Sequence, residues 1–243
     1  MNVERAFSRA AKSYRSHATV QTKVASDLLS ACGPLTQFKE AIDLGCGSGV
    51  LALEILSRYP TLPLDCLDSS AAMISELRAT LTDRQLHPRA LIVADARSYS
   101  GHEYPLVLSS SALQWMEPVD ATLSNWRKLC ASGGTLAVAC MVRGTLVELH
   151  HARLQEAPSV PPLKELPTAD AIRDSLRDAG FAVESFIERQ YRVEFRSPIE
   201  LYRALALTGT AGGSFSRGLR LLTVPELRRT ARRYAADYAT PDG

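Results

Sequence analysis

The stretch Glu40-Ala41-Ile42-Asp43-Leu44-Gly45-Cys46-Gly47-Ser48-Gly49 decides how this chain is read. A short apolar run ends in a carboxylate and breaks into glycines at every second position. A helix-like segment, Val50 to Tyr59, follows. Glycine lets the backbone turn sharply and approach a ligand closely, because no Cβ is in the way. A second apolar run, Leu62 to Leu67, ends at Asp68, 25 residues after Asp43. In a doubly wound fold the acidic residue after the second strand is placed to bind ribose hydroxyls. These features together imply a nucleotide-like cofactor.

The spacing narrows the choice. A dinucleotide fingerprint reads G-x-G-x-x-G and sets a helix N-terminus against a pyrophosphate. Here the pattern is G-x-G-x-G with Asp43 two residues ahead of it. That carboxylate would repel a pyrophosphate but accept a hydrogen bond from an ammonium group. The pocket therefore suits a cofactor with an amino-acid end, a ribose and no phosphate, which counts against a dehydrogenase. The segment resembles motif I of class I S-adenosylmethionine-dependent methyltransferases, and the resemblance implies that cofactor, with S-adenosylhomocysteine as product.

Working outward, strands are expected at about 40–44, Leu62–Leu67, Ala90–Val93, Leu106–Ser110 and Thr135–Val142. Helices are expected at about 48–58, Ala71–Leu81, with Ser69 or Ser70 as cap, and Pro118–Cys130, and Gly133-Gly134 reads as a turn. This alternation predicts an α/β fold with a doubly wound, mainly parallel sheet. Ahead of it, Val3 to Ala31 reads as helix, in one piece or two. After it come Glu148–Glu156, a proline-rich connection, a capped helix from Thr168 to Gly180, an alternating sixth strand over Phe181–Phe195, Ser197–Leu207, and a helix from Val224 to about Tyr238. One domain spans 1–243: a helical cap (1–31), a cofactor core (40–142) and acceptor-binding and lid elements (143–243).

At 243 residues, 46% hydrophobic and net charge +2, the chain gives no global case for nucleic acid and has no apolar run approaching a membrane span. Met1 to Ser16 lacks a signal-peptide core. Five scattered cysteines form no C-x-x-C pair, so buried thiols in a reducing cytosol are expected rather than disulfides or zinc. His150 and His151 would diverge on a helix, and no metal site is expected.

Ligands in such folds lie beyond the carboxyl ends of the strands. Asp43, Asp68, Asp95 and Ser111 should surround one crevice, with Gly45, Cys46, Gly47 and Ser69 completing the cofactor set. Asp95 would bond the adenine amino group and Ala96 offer its amide; helix or turn capping is the alternative for Asp95. Met73 covers the adenine face or is plain core. Gln114-Trp115 falls where an acceptor should approach; packing is the alternative for Trp115. No Ser-His-Asp, H-E-x-x-H or Cys-His arrangement is evident, which hints at an acceptor that is already deprotonated.

Further segments resemble the malonyl-acyl-carrier-protein O-methyltransferases of biotin synthesis: Phe7-Ser-Arg-Ala-Ala-x-x-Tyr14 with Gln21, Ser110-Ser111-Ala-Leu-Gln114-Trp115, Gly144-Thr-Leu-x-Glu148-Leu149, and Arg203-x-Leu205 with Gly209. The resemblance implies methylation of the free carboxylate of a malonyl thioester on acyl carrier protein or coenzyme A. For that acceptor Arg203 is the candidate cation, or only a solvated helix residue, and Tyr14 a lid and hydrogen-bond donor. Arg217, Arg220, Arg228, Arg229, Arg232 and Arg233 form a candidate docking face for an acidic carrier, or an ordinary solvated helix face. The chain departs from the family in having Ala206 where a lysine is common, and in ending at Gly243, where a final antiparallel strand usually follows; that strand is expected to be missing. Methylation of another small molecule, or a non-catalytic cofactor- or carrier-binding variant, remain the alternatives.

Overall fold

The computed structural model of the protein describes residues 3–162, 164–212 and 220–240. Two helices, α1 (Val3–His17) and α2 (Thr19–Cys32), precede an alternating core: β1 (Ala41–Leu44), α3 (Val50–Arg58), β2 (Leu64–Asp68), α4 (Ala71–Arg84), β3 (Ala90–Val93), β4 (Tyr104–Ser110), α5 (Val119–Leu129) and β5 (Cys130–Ala139). Four helices follow, α6 (Val147–Glu156), α7 (Ala169–Asp178), α8 (Pro198–Leu207) and α9 (Val224–Tyr238). The five strands order β3-β2-β1-β4-β5, and every pairing is parallel. The expected doubly wound fold is what forms. Strand order reverses between β1 and β4, the switch point where ligands collect in this architecture.

Parallel strands covered on both faces read as continuous apolar runs, and β1 is buried throughout. One face carries Ala41, Leu64, Cys66, Leu106 and Leu108 under Leu51 and Ile55 of α3 and Leu77 and Leu81 of α4. The other carries Ile42, Leu44, Leu67 and Val107 under Leu123 and Trp126 of α5 and Ile172 and Leu176 of α7. Trp126 is fully buried, and its Nε1–H donates to the Ala96 carbonyl at 3.0 Å. Burying its ring stabilises the fold by about 3 kcal/mol. The helix starts follow capping chemistry: Ser70 Oγ accepts from Met73 N, and Thr168 Oγ1 accepts from Ala171 N.

Two expectations are corrected. Gly133-Gly134 is no free turn but lies inside β5, which starts at Cys130. The ladder slips between Tyr104 and Leu106, so the extra residues are absorbed as an irregularity. The sixth strand over Phe181–Phe195 does not form. Its alternation survives only as alternating burial, because a strand needs a neighbour's ladder of donors and acceptors. This segment is tied instead by side chains: Tyr191 Oη donates to Asp27 of α2 at 2.7 Å, beside an Arg189–Asp27 ion pair. Among the described residues no helix is long and apolar enough to cross a membrane.

Candidate active site

The carboxyl ends of β1, β2 and β4 bring the predicted residues together. Asp43, next to the last residue of β1, is 1% exposed, and neither of its carboxylate oxygens has a hydrogen-bond partner. Burial first, and then the nearby Asp68 carboxylate, push its pKa up to about 8. Asp68 ends β2. Its Oδ2 accepts from Gly47 N at 2.9 Å and its Oδ1 from Ser70 N at 2.8 Å, so it fixes the glycine turn to the start of α4. Burial raises its pKa despite those two bonds. Each carboxylate oxygen keeps a second lone pair, so Asp68 can still accept from a vicinal diol.

The first two glycines serve different ends. Gly45 has φ +75°, and a Cβ there would stand 2.6 Å from Ala112 Cβ and 2.8 Å from Met116 Cε. It lets the loop after β4 close against the turn. Gly47 has φ +54° and nothing within 4 Å of where its Cβ would be. It leaves the floor of the crevice clear for a ligand. Ser48, Ser110 and Ser111 surround this floor with buried hydroxyls that also lack partners. Ser111 adopts φ +56°. Buried polar groups are normally bonded; a cluster of orphans at the strand ends, led by Asp43, is the mark of a site shaped for a polar ligand. An ammonium on Asp43 and hydroxyls on Asp68 fit the donor and acceptor set, so the residues suit the amino-acid nucleoside that the sequence implies.

Helix α1 roofs the crevice. Its Ser8 Oγ lies 2.8 Å from Ser70 Oγ, and Arg15 bonds Thr80 of α4. The Phe7 ring stacks edge-on to Tyr14 (centroids 6.1 Å) and to Trp115 (5.5 Å). The Tyr14 hydroxyl faces Asp68 from within the protein, and burial raises its pKa, with the Asp68 charge adding to the effect. Tyr14 and Trp115 thus stand together at the roof, one on each contact of the Phe7 ring. Phe7, which joins their two rings, entered the sequence reading only as part of the Phe7-Ser-Arg-Ala-Ala-x-x-Tyr14 segment, with no role at the site.

Other predicted residues find different surroundings. Gln114 is 2% exposed, donates through Nε2 to the Ser111 carbonyl at 2.8 Å and accepts from Met141 N at 3.4 Å. Its amide ties the β4 loop to the segment just after β5. Asp95 accepts from Arg97 N and pairs with the Arg97 guanidinium at 2.5 Å, the turn-capping alternative in place. That pairing lowers its pKa. Met73 is buried, Ala96 is 3% exposed and Ser69 is exposed. Cys46 is buried in the turn beside Cys66, and burial raises its thiol pKa well above the ordinary value. Arg203 stands exposed on α8. Of the arginine face, Arg217 lies outside the described residues. Arg220 pairs with Glu226, Arg229 with Glu156 and Arg233 with Asp237, so three of those charges are answered within the chain.

Comparison with known proteins agrees with this geometry. Residues 42–136 match a family model described as "Methyltransferase domain". The malonyl-[acyl-carrier protein] O-methyltransferase of Geobacter sulfurreducens is 30% identical over 99% of this chain and 92% of its own. That of Alcanivorax borkumensis is 31% identical over 89% and 74%. The chain belongs to the malonyl-[acyl-carrier protein] O-methyltransferase family. It is a class I methyltransferase, and S-adenosylmethionine is its cofactor. Among solved structures, the protein in complex with the Haloferax volcanii Trm112 methyltransferase activator aligns at TM-score 0.58 and 21% identity, over 74% of this chain and 76% of its own, a likeness of fold.

Proposed function

We propose that this member of the family methylates the free carboxylate of a malonyl thioester, carried on acyl carrier protein or coenzyme A, in the early, pimeloyl-building steps of biotin synthesis. The observation that carries the reading is the orphaned Asp43 carboxylate beside Asp68 under an aromatic roof. When bound, S-adenosylmethionine supplies an electrophilic methyl group on a sulfonium. Asp43 would hold its ammonium and Asp68 its ribose hydroxyls. Phe7, Tyr14 and Trp115 exclude water and orient the reactants, which is the main contribution an enzyme makes to an in-line displacement. A malonyl carboxylate arrives ionised, so the site needs no general base.

The acidic carrier would meet α9. Arg228 and Arg232 are exposed there and make no ion pair with any described residue. They supply the positive field that steers such a partner.

The test supplies labelled cofactor with malonyl-carrier, malonyl-coenzyme A and free malonate. Methyl ester should form on the thioesters, and raised salt should slow the carrier reaction more than the coenzyme A reaction. Label appearing on some other small molecule, or cofactor binding with no turnover on any carboxylate, would overturn the assignment.

A further inference from the structure

Between α1 and α4 lies a cavity of about 170 Å³. Lys12 and Arg15 of α1 line one side, Glu76 and Thr80 of α4 the other, and Ser48 of the glycine turn joins them. Asp43 and Asp68 are not in its lining, so the space is distinct from the carboxylate crevice. Two cations enter it with no acid holding them: neither Lys12 nor Arg15 makes an ion pair with a described residue, although Glu76 lines the same cavity. Thr80 sets Arg15 in place. Its Oγ1 accepts from Arg15 Nη1 and donates to the Glu76 carbonyl at 3.0 Å. A guanidinium carries several N–H donors, and this bond uses one.

Ser48 adds a hydroxyl that is 2% exposed and has no hydrogen-bond partner. It stands just before α3, whose N-cap, Gly49, gives the first turn no side-chain bond. The open N–H groups and positive dipole end of a helix start favour negative charge. An ammonium, a guanidinium, a buried orphan hydroxyl and a helix start thus converge on one small space, the donor set of an oxyanion. Glu76 makes the set selective. A carboxylate repels an anion unless the anion brings a proton to share, and a repulsive group of this kind discriminates between otherwise similar ligands. Inorganic phosphate keeps at least one proton at neutral pH. Sulfate has none, and a phosphate monoester has largely lost its own.

We propose that Lys12, Arg15, Ser48 and Glu76 form a binding site for inorganic phosphate. The bound ion takes charge-assisted bonds from Lys12, Arg15 and the Ser48 hydroxyl and donates its own proton to Glu76. It bridges the roof helix to α4 and to the glycine turn, so phosphate steadies the cover of the cofactor crevice. The site does not depend on which acceptor the protein methylates.

The experiment titrates inorganic phosphate, by calorimetry, into the full chain in phosphate-free buffer, with and without saturating S-adenosylhomocysteine. Sulfate and pantetheine 4′-phosphate are titrated in the same way. Phosphate should bind in both states, about tenfold more tightly than either comparator, and should protect the α1 amides in hydrogen exchange. Lys12→Met should weaken phosphate about tenfold. Glu76→Gln removes the repulsion and should bring sulfate level with phosphate. Melting temperatures in phosphate-free buffer confirm that both variants fold. Phosphate displaced by S-adenosylhomocysteine would make the cavity part of the cofactor site and overturn the proposal. So would an absence of phosphate binding at millimolar concentration, an unchanged affinity in Lys12→Met, or sulfate binding the wild type as tightly as phosphate.

Discussion

Asp43 carries a charge problem that the proposed ammonium ligand would solve. In the ligand-free protein its carboxyl is protonated up to a pKa of about 8, because burial and Asp68 both oppose ionisation. An unfolded aspartate ionises near 4, so this folded group binds a proton that the unfolded one releases. Its contribution to stability therefore declines as pH rises from about 4 to about 8. On the proposed reading, an arriving ammonium would reverse the balance and expel the proton. Cofactor binding at pH 7 should release close to one proton, seen as a dependence of calorimetric enthalpy on the buffer's ionisation enthalpy. Asp43→Asn should abolish that dependence, weaken the cofactor at least tenfold, and flatten the decline of melting temperature with pH. A buffer-independent enthalpy in the wild type would show Asp43 to be ionised before the ligand comes.

At the scale of elements, α1 is the part of the molecule whose position decides access. It is fastened to α4 through Ser8 and Arg15, to the β4 loop through Phe7 and Trp115, and to α8 through Ser13. Gly209, just past α8, has φ +72°, and a Cβ there would stand 3.0 Å from the Ala6 carbonyl oxygen and 3.2 Å from Phe7 Cα. A side chain at this point must push α1 away from α8. Gly209→Val should cost about 2 kcal/mol through overpacking and a strained φ. It should also deprotect the α1 amides in hydrogen exchange while leaving β1, β2 and β4 protected, and raise cofactor Kd several-fold. Unchanged α1 protection would mean that the roof is held without this close approach.

For the whole molecule, the site depends on a staple at the opposite end of the sheet. Arg89, entering β3, forks onto Asp65 of β2 at 2.8 and 2.6 Å and also reaches Glu40 ahead of β1. The Tyr104 hydroxyl of β4 donates to the same Asp65 at 2.7 Å, and His102 bonds Glu40. Four strands are thereby fixed at their starts, which sets the register of their far ends. Arg89→Met would strand Asp65, whose side chain is 6% exposed, and should cost about 3 kcal/mol at pH 7 by urea unfolding. Arg89 holds the pKa values of Asp65 and Glu40 below the ordinary range. The stability they contribute is thus complete above about pH 4 and is lost as pH falls through their depressed values. The variant and the wild type should converge below that pH; an equal gap at pH 3 and pH 7 would rule out the ion pairs as its origin.

What the sequence determined by itself was the order of elements and the cofactor end of the site. Asp43, Gly45, Gly47 and Asp68 lie within 26 residues, and a βαβ unit has only one way to bring them together. Strand runs, caps at Ser70 and Thr168, and the break between α1 and α2 are likewise local, written in spacing and side-chain chemistry. The tertiary structure decided everything that depends on distant partners. Alternation over Phe181–Phe195 could not become a strand without a paired edge, and the bonds of the Gln114 amide to Ser111 and Met141 join segments far apart in the chain. Phe7 acquired a role only when α1 was laid across Trp115, more than a hundred residues away. Local patterns fix backbone conformation; which polar groups end up buried together is settled only by how the elements pack.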